Sequence, residues 1–195
     1  MPNSTNTLRL SGTGNTFTGG LLFLGGKSSI LESSPMSGTN GTLSTGSLTL
    51  GATGSSATLN LGGSLSTVTE VCGIAIRSPG TVAKRIAVIG AGSRILSGVL
   101  DQGASAGLTL ACESSGSLTF SNAINGTGPI TVNSTGSGKV IFTGNSSTFS
   151  GATTVQAGGL QLGSGPILGT STITPLAGGT LSRSEEHTSE LQSRQ

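Results

Sequence analysis

The chain has few aromatic side chains and few charges. It contains five Phe but no Trp and no Tyr, and only 8% of its 195 residues are charged. Nucleic-acid binding normally relies on clustered Lys and Arg with aromatic side chains for stacking, whereas the bases here are scattered apart from the Lys84-Arg85 pair. Disorder normally requires high charge and few apolar residues. The composition therefore argues against both nucleic-acid binding and disorder.

Histidine and cysteine are almost absent as well. The only histidine, His187, lies close to the last residue, so the many serines and threonines before it have no base to activate them. Cys72 and Cys112 lack the paired spacing of a zinc site. They are interpreted either as a disulfide formed in an oxidising compartment or as small buried or free thiols. The sequence predicts no catalytic, cofactor-binding or metal-binding residue, and no enzyme activity.

Two glycine-containing segments resemble phosphate-binding motifs without completing them. Gly90-Ala91-Gly92 follows an apolar run, but Ile95 stands where a dinucleotide-binding turn needs its third glycine. No helical pattern follows, so a turn between strands is expected. Gly25-Gly26-Lys27-Ser28 resembles the end of a phosphate loop, whose first glycine would fall at Leu21. Neither segment predicts a nucleotide site.

Carboxylates are scarce before residue 183, where the chain has only Glu32, Glu70, Asp101 and Glu113. Glycoside hydrolysis needs two acids about 5 to 10 Å apart. Asp101 and Glu113 are the pair that adjacent coils of a repetitive fold could bring together. A carbohydrate-active β-helix enzyme is therefore kept as an alternative function.

Glycine and short alternating triplets are what the chain has in abundance. It has 34 glycines, and Gly, Ser, Thr and Asn fill the gaps between apolar runs. Alternation of apolar and polar residues predicts strands with one buried side, and the intervening residues predict turns. The triplets are Leu8-Arg9-Leu10, Leu48-Thr49-Leu50, Leu59-Asn60-Leu61, Leu108-Thr109-Leu110, Leu118-Thr119-Phe120, Ile130-Thr131-Val132, Val140-Ile141-Phe142 and Leu160-Gln161-Leu162.

These triplets favour an all-β fold, a right-handed parallel β-helix or solenoid. Stacked coils place like residues above like residues about 4.8 Å apart, so small apolar side chains fill the core. A coil of roughly 20 to 25 residues is expected. The segment 68–100 is richer in Val and Ile and is predicted to form further coils, because some thirty residues are too few for an inserted domain.

One segment of the sequence recurs. Residues 8–30 align with residues 140–162 without gaps at a constant offset of 132 positions (142 − 10), and Phe17 falls opposite Phe149. An internal repeat of this kind is typical of solenoids and arrays. The repeat copies are placed near 8–30 and 140–163.

The second copy is similar to the autotransporter-associated β-strand repeat, also called the passenger-associated transport repeat. Phe149 stands where that family usually has Tyr. The matching residues are Thr143-Gly144, Phe149-Ser150-Gly151, Thr153, Val155, Gly158-Gly159 and Leu160-Gln161-Leu162-Gly163. The resemblance implies a bacterial autotransporter passenger, a structural or adhesin-like β-helix displayed by type V secretion. Its partner would be a C-terminal outer-membrane β-barrel, and its location the cell surface or extracellular space.

The two ends of the chain carry further expectations. The first ten residues have no apolar core of a signal peptide, and no transmembrane helix is predicted. The final segment, from Arg183 to Gln195, is charged, and its first eleven residues resemble the translation of a sequencing adapter. Residues 1–182 are predicted to be a passenger fragment and residues 183–195 a non-native, disordered tail. A spurious open reading frame of β-repeat type is the other alternative.

Overall fold

The structure is a computed structural model, and it describes twelve stretches of the chain. These are residues 9–10, 21–23, 26–31, 48–51, 56–62, 67–70, 74–76, 82, 84–104, 107–144, 148–164 and 170–184. Outside the described residues lie Phe17, Cys72 and the segment 185–195, which includes His187.

Every regular element in the described residues is a strand. In chain order they are β1 (Arg9–Leu10), β2 (Leu21–Phe23), β3 (Gly26–Leu31), β4 (Leu48–Leu50), β5 (Ala57–Gly62), β6 (Val68–Glu70), β7 (Ile74–Ile76), β8 (Lys84–Val88), β9 (Arg94–Leu96), β10 (Leu100–Asp101), β11 (Leu108–Cys112), β12 (Ser117–Phe120), β13 (Ile124–Asn125), β14 (Ile130–Asn133), β15 (Lys139–Phe142), β16 (Thr153–Leu162) and β17 (Ile173–Arg183). Seven of the eight predicted triplets fall in these strands, and of the eighth Arg9 and Leu10 form β1, while Leu8 lies outside the described residues.

The strands stack in parallel on three sides of a solenoid. Side 1 has the order β1-β3-β5-β8-β11-β14 and ends with the first halves of β16 and β17. Side 2 runs β6-β9-β12-β15 and ends with the second halves of β16 and β17. Side 3 runs β2-β4-β7-β10-β13. The prediction of an all-β parallel solenoid is confirmed, and the described residues of segment 68–100 form strands on its three sides, as expected.

The length of a coil varies along the chain. Side 1 partners are 20 positions apart from Arg9 to Ser29 (29 − 9) and 31 apart from Gly26 to Ala57 (57 − 26). They are 24 apart from Lys84 to Leu108 (108 − 84) and 20 apart from Thr153 to Ile173 (173 − 153). The predicted period of 20 to 25 residues therefore fits the first coil and the coils from Lys84 onward, while the coils between Gly26 and Lys84 are longer.

β16 continues around the corner from side 1 to side 2, where the earlier coils have a turn. Its residues Thr153–Val155 pair with β14 on side 1, and its residues Gly159–Leu162 pair with β15 on side 2. Gly158 lies at the bend with a φ of 78°. A Cβ on that residue would lie 2.6 Å from the Ser134 Cβ, so glycine suits both the backbone angle and the available space.

The core consists of columns of inward side chains that continue from coil to coil. On side 2 one column runs through Leu96, Phe120, Phe142 and Leu162. The rings of Phe120 and Phe142 meet edge to face with centroids 5.6 Å apart. On side 1 a column of Ile86, Leu110, Val132 and Val155 is almost fully buried. Such stacking needs no large aromatic centre, which agrees with the composition.

Two cations occupy inward positions that the sequence analysis did not assign to the core. Lys84 is 1% exposed and Arg94 is 2% exposed. Arg94 donates hydrogen bonds to the carbonyl oxygens of Ser93, at 2.9 Å, and of Gly62. The Lys84 Nζ donates to the Val82 carbonyl oxygen at 3.4 Å, and burial lowers the pKa of this amine. Backbone carbonyl oxygens therefore accept hydrogen bonds from these two cations, which are the charged side chains among otherwise uncharged core columns.

The last described strand extends past the predicted end of the native segment. β17 ends at Arg183, and the Ser184 amide donates to the Leu162 carbonyl oxygen at 2.8 Å. Strand pairing therefore continues two residues beyond Ser182. The predicted disorder of the following residues stays a prediction, because residues 185–195 lie outside the described part of the chain.

Candidate functional site

The two copies of the internal repeat form the same local pairing. In the first copy Leu10 pairs in parallel with Ile30, 20 positions later (30 − 10). In the second copy Phe142 pairs in parallel with Leu162, also 20 positions later (162 − 142). In both, the strand that opens the repeat lies beside the strand that closes it. The two copies therefore share the pairing of their opening and closing strands, although this pairing lies on side 1 in the first copy and on side 2 in the second.

Phe149 anchors the middle of the second copy. Its side chain is fully buried, and its backbone forms a parallel bridge with Gly126 on the coil below. Gly126 has a φ of 108°, and a Cβ on it would lie 2.5 Å from the backbone of Gly103. The ring is thus a wall residue of the core. The equivalent position, Phe17, lies outside the described residues.

Polar side chains tie the second copy to its neighbouring coils. The Thr143 hydroxyl donates to the Phe120 carbonyl oxygen at 3.5 Å. The Ser171 hydroxyl donates to the Gly151 carbonyl oxygen at 2.6 Å and lies 3.2 Å from the Thr153 hydroxyl. These contacts explain why Ser and Thr fill the gaps between apolar triplets. They satisfy backbone groups that the strand ladders leave open.

A column of three glycines, the glycine corner, lies where side 1 turns into side 2. It consists of Gly92, Gly116 and Gly138 in successive coils. A Cβ on Gly116 would lie 2.2 Å from the Gly92 carbonyl oxygen, and a Cβ on Gly138 would lie 2.1 Å from the Gly116 carbonyl oxygen. Real Cβ atoms essentially never approach so closely. The coils therefore stack at this corner through direct backbone contact.

Asp101 and Glu113, the two carboxylates considered for glycoside hydrolysis, lie in different surroundings. Asp101 lies in β10 on side 3, and its Oδ1 accepts a hydrogen bond from the Gly103 amide at 3.1 Å. Glu113 follows β11 at the glycine corner, where it forms an ion pair with Arg85 and accepts from the Thr135 hydroxyl at 2.5 Å. The structure places them on successive turns but on different sides. Each carboxylate supports a local turn or corner contact.

The two glycine-containing segments that resemble phosphate motifs have ordinary structural roles. Residues 90–92 form a bend between β8 and β9, as expected, and a strand rather than a helix follows. Lys27 lies inside β3, paired with Thr58 of β5. Its backbone is therefore part of a ladder and not of a phosphate-binding loop.

Cys112 is a buried free thiol. Its side chain is 0% exposed, and its Sγ donates to the Lys139 carbonyl oxygen at 3.2 Å. Burial raises the pKa of the Cys112 thiol from 9.0 to about 11, with a smaller contribution from the negative charge of Glu113. Of the two interpretations left open, the structure shows the small buried residue. Cys72 lies outside the described residues.

Stability should fall between pH 9 and pH 11 because of this thiol. The folded protein retains the proton up to about pH 11, whereas the unfolded chain releases it near 9.0, so the stabilisation is complete below pH 9 and lost as the pH rises to 11. The linked change is about 2–3 kcal/mol. Urea unfolding of the Cys72→Ser variant and of the Cys72→Ser/Cys112→Ala variant across this range measures it. Equal slopes in the two variants would contradict the assignment.

Comparison with known families supports the repeat directly. Residues 3–27 and 135–162 match the passenger-associated transport repeat. Both copies of the internal repeat therefore overlap segments that match this family. The second match begins at the turn that leads into Gly138 and ends at the last residue of β16, so it covers the corner, β15, Phe149 and the strand that crosses to side 2. No curated protein matches the chain, and no solved structure matches it.

The described residues contain no group of three or more His, Cys, Asp or Glu side chains placed to hold a metal ion. No helix within them has the length and apolar character required to cross a membrane.

Proposed function

We propose that this chain is a segment of a bacterial autotransporter passenger with a structural, adhesin-like role in type V secretion and surface display. One observation carries the proposal, namely that two passenger-associated transport repeats have the same 20-position strand pairing (30 − 10 and 162 − 142) in a parallel solenoid. In this proposal the partner is a C-terminal outer-membrane β-barrel, and the location is the cell surface.

The nearest-neighbour stabilisation of solenoid coils gives this proposal a mechanism. Each coil contacts only its neighbours, so a coil that has formed offers a template for the next one. Pairing of the opening strand of a repeat with its closing strand 20 positions later requires only a short loop to close (162 − 142). A chain that emerges outside the cell can therefore gain stabilisation coil by coil, which favours its continued export.

The surface display of a repeat-deleted chain tests the proposal. The chain is fused between a signal peptide and an outer-membrane β-barrel, and display is measured by protease accessibility on intact cells. Deletion of the segment from Val140 to Leu162 should reduce display several-fold, because it removes the pairing of β15 with β16.

A register-preserving deletion provides the control. Removal of residues 108–129 takes out one coil of similar length, because Leu108 and Ile130 are partners on side 1. This variant should retain more display than the repeat-deleted chain. Display that is unchanged after deletion of the repeat, or reduced equally in both variants, would sink the proposal.

A further inference from the structure

Two buried cations lie in one coil and both reach the coil before it. Lys84 of β8 and Arg94 of β9 are the only charged side chains that are buried in the described part of the chain. They belong to residues 84–96, the cationic coil, and both meet residues 48–62, the receiving coil that contains β4 and β5. Burial of a cation is costly without polar partners, so the place of each cation depends on what the neighbouring coil offers.

The side chain of Lys84 occupies a space that Gly51 leaves open. Gly51 follows β4 with a φ of 93°, and a Cβ on it would lie 2.0 Å from the Lys84 Cε and 2.9 Å from the Lys84 Nζ. The partner of Lys84 in the side 1 column of the receiving coil is Ala57, another small residue. A larger side chain at position 51 would take the place of the lysine stem. The receiving coil therefore accepts Lys84 because it has glycine at this point.

The guanidinium group of Arg94 recognises the other end of the receiving coil. It donates to the carbonyl oxygen of Gly62, the last residue of β5, and to that of Ser93 in its own coil at 2.9 Å. Gly62 is itself buried. A slip of the cationic coil by two positions would keep every inward side chain inward, because strands have a period of two. It would however move Arg94 away from this carbonyl oxygen, so the hydrogen bond distinguishes one register from the next.

The receiving coil differs from three other coils at these two glycine positions. The corresponding positions follow from the strand pairing, extended by up to three residues past the paired strands. They are Leu24 and Leu31 in the coil before, Gly103 and Glu113 in the coil after the cations, and Thr127 and Thr135 in the next one. None of these coils has glycine at both positions. Their inward triplets of Leu, Ile and Val resemble one another, so apolar columns alone distinguish the coils poorly.

We propose that Lys84 and Arg94 fix the order and the register of the coils, because they match the receiving coil and none of the other coils compared. Specification of register is the best-attested use of buried polar groups, and it carries a cost in stability. A wrong neighbour would set Lys84 against a larger side chain or remove the carbonyl oxygen that Arg94 requires. This inference concerns the folding of the chain itself and does not depend on the proposed role in secretion.

Apolar replacement of both cations separates specificity from stability. The Lys84→Met/Arg94→Met variant of the full chain should unfold in urea at the same concentration as the parent or a higher one, because apolar side chains of similar volume commonly replace buried ions without loss. After dilution from urea, its yield of native protein should be at least twofold lower than that of the parent. Hydrogen exchange should then show a second, less protected population in β5, β8 and β11.

A matched variant controls for the introduction of methionine. Leu108→Met/Leu118→Met changes the same two columns one coil later, and it should refold like the parent, because leucine and methionine have similar volumes. A Lys84→Met/Arg94→Met variant that refolds with the yield of the parent, or equal losses of yield in both variants, would overturn the proposal. A lower urea midpoint for the variant without cations would also overturn it, because the cations would then act through stability.

A double-mutant cycle tests the contact between Gly51 and Lys84. Gly51→Ala strains the backbone at a φ of 93° in any background, so the difference between two backgrounds isolates the side-chain contact. The decrease in urea midpoint caused by Gly51→Ala should be at least twofold smaller in a Lys84→Ala background than in the parent, because the shortened side chain leaves room for the added methyl group. An equal decrease in both backgrounds would show that Gly51 does not serve to accept Lys84.

Discussion

Replacing Phe142 with alanine should lower the free energy of unfolding by about 3–5 kcal/mol. The Phe142 side chain is 0% exposed, and its ring meets that of Phe120 edge to face. Removal of the ring loses its transfer free energy and leaves a cavity in a column that continues into the coils on both sides. The neighbouring coils are fixed by strand ladders and cannot collapse far into that space. Urea denaturation followed by circular dichroism measures the change.

Two comparisons separate this effect from a general loss of stability. Thr119→Ala alters an outward position of the neighbouring strand, and its effect should stay within about 0.5 kcal/mol. Hydrogen exchange of Phe142→Ala should show the largest loss of protection in β12, β15 and β16, because solenoid coils interact with their neighbours only. A uniform loss of protection across the described strands, or a loss of stability below 1 kcal/mol, would contradict the role given to Phe142.

Replacing Gly138 with alanine should destabilise the protein by about 3 kcal/mol or more, at the upper end of the cost of overpacking. The added Cβ would lie 2.1 Å from the Gly116 carbonyl oxygen and 2.7 Å from the Ser114 carbonyl oxygen. Both obstacles are backbone atoms, so no side-chain rotation relieves the contact. The two coils would have to separate at the glycine corner, which weakens the adjacent hydrogen bonds. Thermal and urea unfolding measure the loss.

Gly159 provides the matched substitution. A Cβ on Gly159 would meet the Lys139 side chain at 3.2 Å, and a flexible side chain of this kind can move aside. Gly159→Ala should therefore be neutral or stabilise the protein by up to about 1 kcal/mol, because alanine restricts the unfolded chain more than glycine does. If the two substitutions cost the same, close backbone contact at the corner is not what requires glycine at Gly138.

The alternation of apolar and polar residues was enough to predict the strands and the class of fold. The same pattern contained information about Lys84 and Arg94 that the sequence analysis did not use. Lys84 shares its parity with Ile86 and Val88, and Arg94 shares its parity with Leu96, so a period of two places both cations inward. Their polarity suggested surface positions, but the carbonyl oxygens that receive Arg94 come from another coil and a neighbouring turn. No local pattern shows such partners.

The coil lengths and the need for glycine at the glycine corner could not be predicted from the sequence, for a related reason. Glycine is so frequent in this chain that its presence alone does not distinguish Gly138, which meets a neighbouring backbone, from Gly159, which meets a movable lysine. The distinction depends on register between coils, and register depends on the number of residues that each turn consumes. The recurring segment indicated a repeat, but the 20 positions between its paired strands (162 − 142) are seen only in the structure.

The differences in coil length have a consequence for the order in which the coils close. Each coil adds one strand spacing to the length of the solenoid, whether it uses 31 residues (57 − 26) or 20 (29 − 9 and 173 − 153). The entropy cost of closing a loop grows with the logarithm of its length, so a 20-residue coil closes at about 0.4 kcal/mol less cost than the 31-residue coil. For the same gain in stacking, the short coils at the two repeats are therefore the easiest to form. The coil lengths give the molecule built-in starting points for assembly at both repeats, with the longer coils between residues 26 and 84 closing later.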